Sequence, residues 1–113
     1  MMNPEVKKKW LKRLRKVGSR GKARGTFRHP KDPSRMCCLG HLCELYRQET
    51  GKGTWRPVIG LITEFFVDDS DRGCGFSLPD AVARWAGLPM EQEDLARAND
   101  SQPGFPIELI KKL

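Results

Sequence analysis

Apolar residues recur at helical spacing near the start of the chain. They follow i, i+4, i+8 and i+11, which places them on one face of a helix. Asn3 is a favourable N-cap, Pro4 is tolerated at the first helical position, and Gly18 is a typical stop. The pattern therefore predicts a helix over 4–17. Its apolar positions are Val6, Trp10, Leu14 and Val17, with Leu11 beside them.

The rest of the chain alternates between turn-forming and apolar segments. Residues 18–35 predict a loop around a short strand near 24–28, either a mobile arm or a hairpin folded over the first helix. Short helices are expected at about 40–50, 79–86, 91–98 and 107–113, and one or two buried strands within 58–67. The predicted fold is α+β, helix-dominated, with a small antiparallel sheet.

A chain of 113 residues has room for one core, so we expect a single domain over 1–113. Within it, residues 1–35 form a basic helix plus a basic arm, and residues 36–113 form a mixed globular core. No apolar run is long enough to cross a bilayer, and no signal-peptide pattern follows the basic start. We therefore expect a cytoplasmic protein with no membrane partner.

Charge divides the chain unevenly. Thirteen of the 21 lysines and arginines lie in residues 1–35, which carry a formal +11, whereas residues 36–113 carry a formal −4. Such asymmetry is typical of proteins that bind an anionic partner. The alternative is a solvated face that keeps the protein soluble. The helical part of this charge is Lys7, Lys8, Lys9, Lys12, Arg13, Arg15 and Lys16.

The chain has four cysteines, which could act as a nucleophile or as metal ligands. Cys37 or Cys38, placed just before a helix, has the position of a nucleophile with a lowered pKa. His29 and His41 are the only histidines that could serve as a base, and neither has an obvious in-line position, so buried packing is the preferred interpretation. We expect Cys38 and Cys43 in the core. Only Cys38 and Cys43, with four residues between them, come near the paired spacing of a structural zinc site, and Cys74 has no such partner. No metal or cofactor is therefore expected.

Several short motifs together resemble a known family. They are the Lys7–Trp10 basic segment, Met36–Gly40 with its Cys-Cys-Leu-Gly run, Leu42–Tyr46, Trp85–Leu88, the C-terminal Asn99-Asp100 pair, and the closing 107–113 segment. The order is similar to that of a widespread family of small proteins from tailed bacteriophages and prophages. The resemblance implies a phage accessory gene acting in the cytoplasm of a bacterial host. It implies no particular activity.

Candidate binding residues come from the basic segments and from three other positions. Trp55 is expected in the core by default. With glycine, lysine and arginine nearby, it could instead stack on a base if it is partly exposed. Asn99 and Asp100 could form a polar ligand corner, although ordinary helix-end and turn chemistry is the preferred explanation. The predicted anion-binding residues are Lys8, Lys9, Lys12, Arg13, Arg20, Lys22, Arg24 and Arg28.

These observations predict a non-catalytic binding protein whose partner is a nucleic acid or a nucleotide signal, used in host takeover or counter-defence. The alternative is a protein inhibitor that docks on an acidic surface of a host enzyme or defence complex. A cysteine-dependent hydrolase is the least favoured choice. No base-reading motif is recognisable. A homo-oligomer is compatible with this size, since small binding domains often build a site at a symmetric interface.

Overall fold

In a computed structural model, the regular structure of the described residues consists mainly of five α-helices and a two-stranded antiparallel sheet, as the α+β prediction requires. The structure describes residues 2–23, 27–29, 31–57, 63–67, 78–88, 93–102 and 104–113. In chain order the elements are α1 (Pro4–Val17), α2 (Cys38–Thr50), β1 (Thr54–Pro57), β2 (Thr63–Phe66), α3 (Asp80–Ala86), α4 (Glu93–Ser101) and α5 (Ile107–Lys111).

Helix α1 has the bounds that its sequence predicts. The Asn3 side chain accepts hydrogen bonds from the amides of Glu5 and Val6, at 3.0 and 3.4 Å, and so caps the first turn. The apolar face is buried at Val6, Trp10 and Leu14. Indole Nε1 of Trp10 donates a 2.8 Å hydrogen bond to the Cys38 carbonyl, so α1 is joined directly to the start of α2.

Helix α2 lies at the centre of the fold and packs against α1, α3 and α4. It begins two residues earlier than predicted, because Cys37 acts as the N-cap and its sulfur accepts a 3.3 Å hydrogen bond from the Gly40 amide. Every residue from Cys38 to Tyr46 is buried. The helix ends at Gly51, whose φ of 73° lies in the left-handed region that favours glycine.

The hairpin of β1 and β2 begins earlier than the apolar run predicts. Trp55 lies in β1, opposite Phe65 of β2, whereas the sequence placed the strands within 58–67. Residues 58–62 lie outside the described part of the chain. Strand β2 confirms the second half of the prediction. Phe65 is fully buried, so the Trp55 and Phe65 side of the hairpin faces the core.

The three C-terminal helices follow their predicted positions closely. Helix α3 ends before Gly87, as expected, and the Asn3 amide donates to the Ala86 carbonyl at 2.8 Å. Helix α4 extends three residues beyond the predicted end at 98 and thereby includes Asn99. Helix α5 packs against α1 and buries Ile110.

The basic arm folds onto the body of the protein where it is described. Ala23 and Phe27 are buried. The Ala23 amide donates to the Met36 carbonyl at 3.1 Å, and the Cys37 amide donates to the Phe27 carbonyl at 3.0 Å. Arg28 forms isolated bridges with Met36 and Thr63. The folded-hairpin alternative therefore describes these residues better than a mobile arm does.

No helix in the described ranges combines the length and the apolar character that crossing a bilayer requires.

Candidate anion-binding surface

Three basic residues of α1 make contacts within the fold. The Lys7 ammonium donates to the carbonyls of Lys111 and Leu113, at 3.3 and 3.0 Å, at the end of α5. Lys9 forms an ion pair with Glu49 of α2. Arg13 lies half-buried against α2. These side chains secure α1 to its neighbours, and Lys9 and Arg13 do so although both were predicted to bind an anion.

A second set of cations on α1 remains exposed. At 100° per residue, the four helical members fall within an arc of about 100° and span an axial length of about 12 Å. Arg20 continues the set just beyond the helix, in a short 3₁₀ turn. Among the described residues none of the five is paired with a carboxylate. We call this set the basic row: Lys8, Lys12, Arg15, Lys16 and Arg20.

Lys22 differs from the other predicted anion-binding residues, because only 3% of it is exposed. Its ammonium donates to the Gln102 carbonyl and, at 2.9 Å, to the Gly104 carbonyl. The side chain thus joins the arm to the segment between α4 and α5. Arg24 lies outside the described residues.

Arg28 and Trp55 contact each other. The Arg28 guanidinium lies 5.1 Å from the centroid of the Trp55 ring, and its Nε donates to the Pro33 carbonyl at 2.9 Å. The Trp55 ring also packs edge-on against Phe65, with centroids 4.9 Å apart. Trp55 therefore has a packing role on the hairpin, and its stacking on a base stays a prediction.

Glu44 organises the junction between α2 and β1. Its carboxylate accepts two hydrogen bonds from Arg47, at 2.7 and 2.6 Å, one from Gln48 at 3.0 Å, and one from Trp55 Nε1 at 2.9 Å. Burial raises the pKa of Glu44, but these hydrogen bonds and the Arg47 charge outweigh it and hold the pKa at about 2. Glu44 is therefore ionised at neutral pH.

The sequence patterns considered above did not single out the cluster of Glu44, Arg47 and Gln48. The i, i+3 and i, i+4 spacings from Glu44 to Arg47 and Gln48 were a usable signal. The hydrogen bond from Trp55 to Glu44 has no such sequence signal, because Trp55 lies on a different element.

His41 is fully buried between α1 and the arm. Its Nδ1 accepts a 3.0 Å hydrogen bond from Arg13 Nε, and its Nε2 lies 2.7 Å from the Gly21 carbonyl. Because Nδ1 accepts, Nε2 must carry the proton and donate to Gly21. Burial, together with the nearby Arg13 charge, lowers the pKa of His41 to about 4 despite the Gly21 bond. The ring is neutral at neutral pH.

Asn99 is fully buried and uses its whole amide inside the fold. Oδ1 accepts from the Cys38 amide at 3.0 Å, and Nδ2 donates to the Ala23 carbonyl at 3.0 Å and to Asp100 at 3.1 Å. Asn99 thus joins α4, α2 and the arm, and its amide is committed to those contacts. Asp100 is exposed at the helix surface.

The cysteines that the structure describes are buried thiols. Cys38 and Cys43 are fully buried, which confirms their predicted place in the core. Burial raises the pKa of Cys37 to about 12, although the amides of Gly40 and Leu39 oppose the shift, and it raises the pKa of Cys38 well above its ordinary value. The N-cap position therefore does not activate Cys37. Cys74 lies outside the described residues.

A family model for the domain of unknown function DUF8296 matches residues 2–109. The chain belongs to this family. Comparison with curated proteins and with solved structures gives no match.

The DUF8296 match includes all of α1, and with it the basic row, as well as the Glu44 junction. Both features therefore lie within the family's domain. Across the described ranges of this DUF8296 domain, no three or more histidine, cysteine or acidic side chains come together in a way that could hold a metal ion.

Proposed function

We propose that the protein is a non-catalytic binding protein that engages an anionic partner, a nucleic acid or a nucleotide signal, through the basic row of α1. The observation that carries the proposal is the separation of the basic residues into two groups. Lys7, Lys9 and Lys22 contact the fold, whereas the basic row projects into solvent with no carboxylate partner among the described residues.

The spacing of the row favours an external partner. Lys8 and Lys12, Lys12 and Arg15, and Lys12 and Lys16 are like-charge pairs at i, i+3 or i, i+4, and such pairs destabilise an isolated helix. A bound anion removes this repulsion. An anionic partner therefore stabilises the row more than it would stabilise the same charges scattered over the surface.

The lysine-rich composition of the row favours phosphate contacts that do not depend on the base sequence of the nucleic acid. Lysine presents a compact point charge with freely rotating donors, which suits a phosphate oxygen from many directions. Binding of a polynucleotide by such residues releases counterions, so the affinity falls steeply as salt is added.

We further propose a phage setting, with the protein acting in the cytoplasm of a bacterial host during takeover or counter-defence. The support for this setting is the sequence resemblance at Met36–Gly40 and at Asn99-Asp100. In a phage protein, the same phosphate-binding chemistry would serve host takeover, by binding nucleic acid, or counter-defence, by sequestering a nucleotide signal.

The experiment that tests the proposal is native purification from a bacterial host at low salt, followed by denaturation and analysis of what is released. Released nucleic acid or nucleotide, lost as salt is raised, is the expected result. A stoichiometric host protein with no nucleic acid would contradict the proposal and favour docking on an acidic protein surface.

Matched double variants connect the result to the row. Lys12→Glu with Arg15→Glu reverses two charges of the row, whereas Arg84→Glu with Arg97→Glu makes the same charge change on exposed positions of α3 and α4. We expect the first pair to abolish retention of the anion and the second pair to preserve most of it. Equal loss in both would show that only net charge matters.

A further inference from the structure

Arg13 is a half-buried guanidinium whose bonded partners are both neutral. Its Nε donates to Nδ1 of His41 at 3.0 Å, and its Nη1 makes a longer contact of 3.5 Å with Oε1 of Gln48. Burial lowers the pKa of Arg13, as expected for a cation partly removed from water. A half-buried charge without a bonded counterion is unfavourable. An anion that binds at this site would therefore stabilise it.

The carboxylate that acts on Arg13 is already saturated. Glu44 Oε1 accepts from Arg47 Nε and Trp55 Nε1, and Oε2 accepts from Arg47 Nη2 and Gln48 Nε2. A carboxylate has about four acceptor positions, and four donors fill them. Glu44 therefore attracts Arg13 through space but has no acceptor position left for it.

Glu44 and Arg47 both act electrostatically on Arg13. Among the described residues, Arg13 and Arg47 therefore place two positive charges near the one negative charge of Glu44. Gln48 fixes the arrangement, since its amide accepts from Arg13 and donates to Glu44. Arg47 gives Nε and Nη2 to Glu44, and Arg13 gives Nε to His41. The donors that remain for the oxygens of a phosphate group include Nη1 of Arg47 and Nη2 of Arg13.

We propose that the Arg13 and Arg47 guanidiniums, positioned by Gln48 and Glu44, bind a phosphate group of a nucleotide or polynucleotide. This inference rests on the proposed function and assigns part of it to a defined site. Arg13 is three residues before Lys16 of the basic row on α1, so the site borders the row. A polynucleotide that follows the row meets the Arg13 site at its edge, and a single nucleotide occupies the site alone.

The test uses two probes, a nucleoside diphosphate and a fluorescein-labelled single-stranded 12-mer, with the full chain. Arg13→Gln removes the charge and is expected to weaken binding of at least one probe about tenfold, as for a lost charge-assisted hydrogen bond. Its control is Arg97→Gln, because Arg97 is an exposed arginine on α4 paired with Asp94 at 3.8 Å. An equal effect of the two substitutions would overturn the inference.

Glu44→Gln gives a prediction of opposite sign. The substitution removes the negative charge beside the site and retains an oxygen acceptor, so phosphate affinity should rise a few-fold. The control is Asp94→Asn, which removes a carboxylate from the exposed pair on α4 and should change affinity less. If Glu44→Gln stays folded by circular dichroism and weakens binding, the site is not a phosphate site.

The Arg13 side chain can also be observed directly in the unaltered protein, which does not require any variant to fold. In ¹⁵N spectra the Arg13 Nε–H signal should shift on addition of the diphosphate or the 12-mer, and the Arg97 signal should not. Shifts with the diphosphate alone identify a terminal phosphate, and shifts with the 12-mer alone identify a backbone phosphate. Absence of any Arg13 shift while Lys12→Glu with Arg15→Glu still weakens 12-mer binding would overturn this site and leave the proposed function intact.

Discussion

The Cys38 amide donates a 3.0 Å hydrogen bond to Oδ1 of Asn99, across 61 positions of sequence, and so joins the first turn of α2 to α4. The first amides of a helix have no partner within the helix, and here a buried side chain from a distant element supplies one. The same Asn99 amide donates to the Ala23 carbonyl of the arm. One side chain therefore holds three segments together.

Substitution Asn99→Ala should lower the free energy of unfolding by about 1–3 kcal/mol, because it leaves the buried Cys38 amide and Ala23 carbonyl without partners. Chemical denaturation followed by circular dichroism measures the change. Ser101→Ala, on the exposed end of α4, is the control and should change little. An Asn99→Ala protein as stable as the parent would show that the buried groups find other partners.

Gly40 permits a close approach between α2 and the arm. A Cβ atom there would lie 2.8 Å from the Phe27 carbonyl carbon and closer still to its oxygen. Alanine normally stabilises a helix interior relative to glycine, but Gly40→Ala should destabilise the protein by about 1–3 kcal/mol, as overpacking does. Gly104→Ala, where a Cβ meets nothing within 4 Å, is the comparison. Thermal unfolding of both variants decides the sign, and a more stable Gly40→Ala protein would contradict the packing described.

His41 makes stability depend on pH. Its pKa is about 4 in the folded protein and about 6.5 when unfolded, so the unfolded chain binds more protons between these values. The stabilisation is complete above pH 6.5 and is lost as the pH falls towards 4. His41→Leu should lower stability at pH 7 but flatten the dependence between pH 6.5 and 4.5, as measured by urea titrations at each pH.

A slope in His41→Leu as steep as the parent's would mean that His41 is not the titrating group. Below pH 4.5 Glu44 contributes a further loss in the same direction, because its pKa falls from 4.5 to about 2 on folding.

The thiols should resist alkylation in the native state. Since the thiolate is the reactive form and the pKa of Cys37 is raised to about 12, iodoacetamide at pH 7.5 should label Cys37 and Cys38 far more slowly than in denatured protein. Mass spectrometry of the digested protein resolves each site. Rapid native labelling of Cys37 would revive the nucleophile interpretation that its burial disfavours.

Local patterns predicted much of the fold. The stripe of α1, its Asn3 cap and the glycines after α2 and α3 mark helix bounds because each acts within a few residues. The hairpin was harder, since Trp55 stands among glycine, lysine and arginine, and its place in β1 depends on pairing with Phe65. Strand pairing is a tertiary contact, which single-sequence periodicity does not report.

The candidate surface was only partly predictable for the same reason. The sequence identifies the cations of α1, but it does not separate Lys9, which pairs with Glu49, from Lys8, which stays exposed. It also cannot show that Lys22 is buried against the carbonyls of Gln102 and Gly104, 80 and 82 positions away. Those assignments depend on which distant segments the fold brings together.

Whether the basic row binds phosphates can be measured from the salt dependence of 12-mer binding by the parent and by the double variant Lys12→Gln with Arg15→Gln. With single-strand contacts from most of the basic row, the logarithm of affinity should fall against the logarithm of salt with a slope of about −3, and the double variant should be shallower by about 1.4. An unchanged slope, or binding by the parent that salt does not weaken, would show that the basic row does not bind the phosphates.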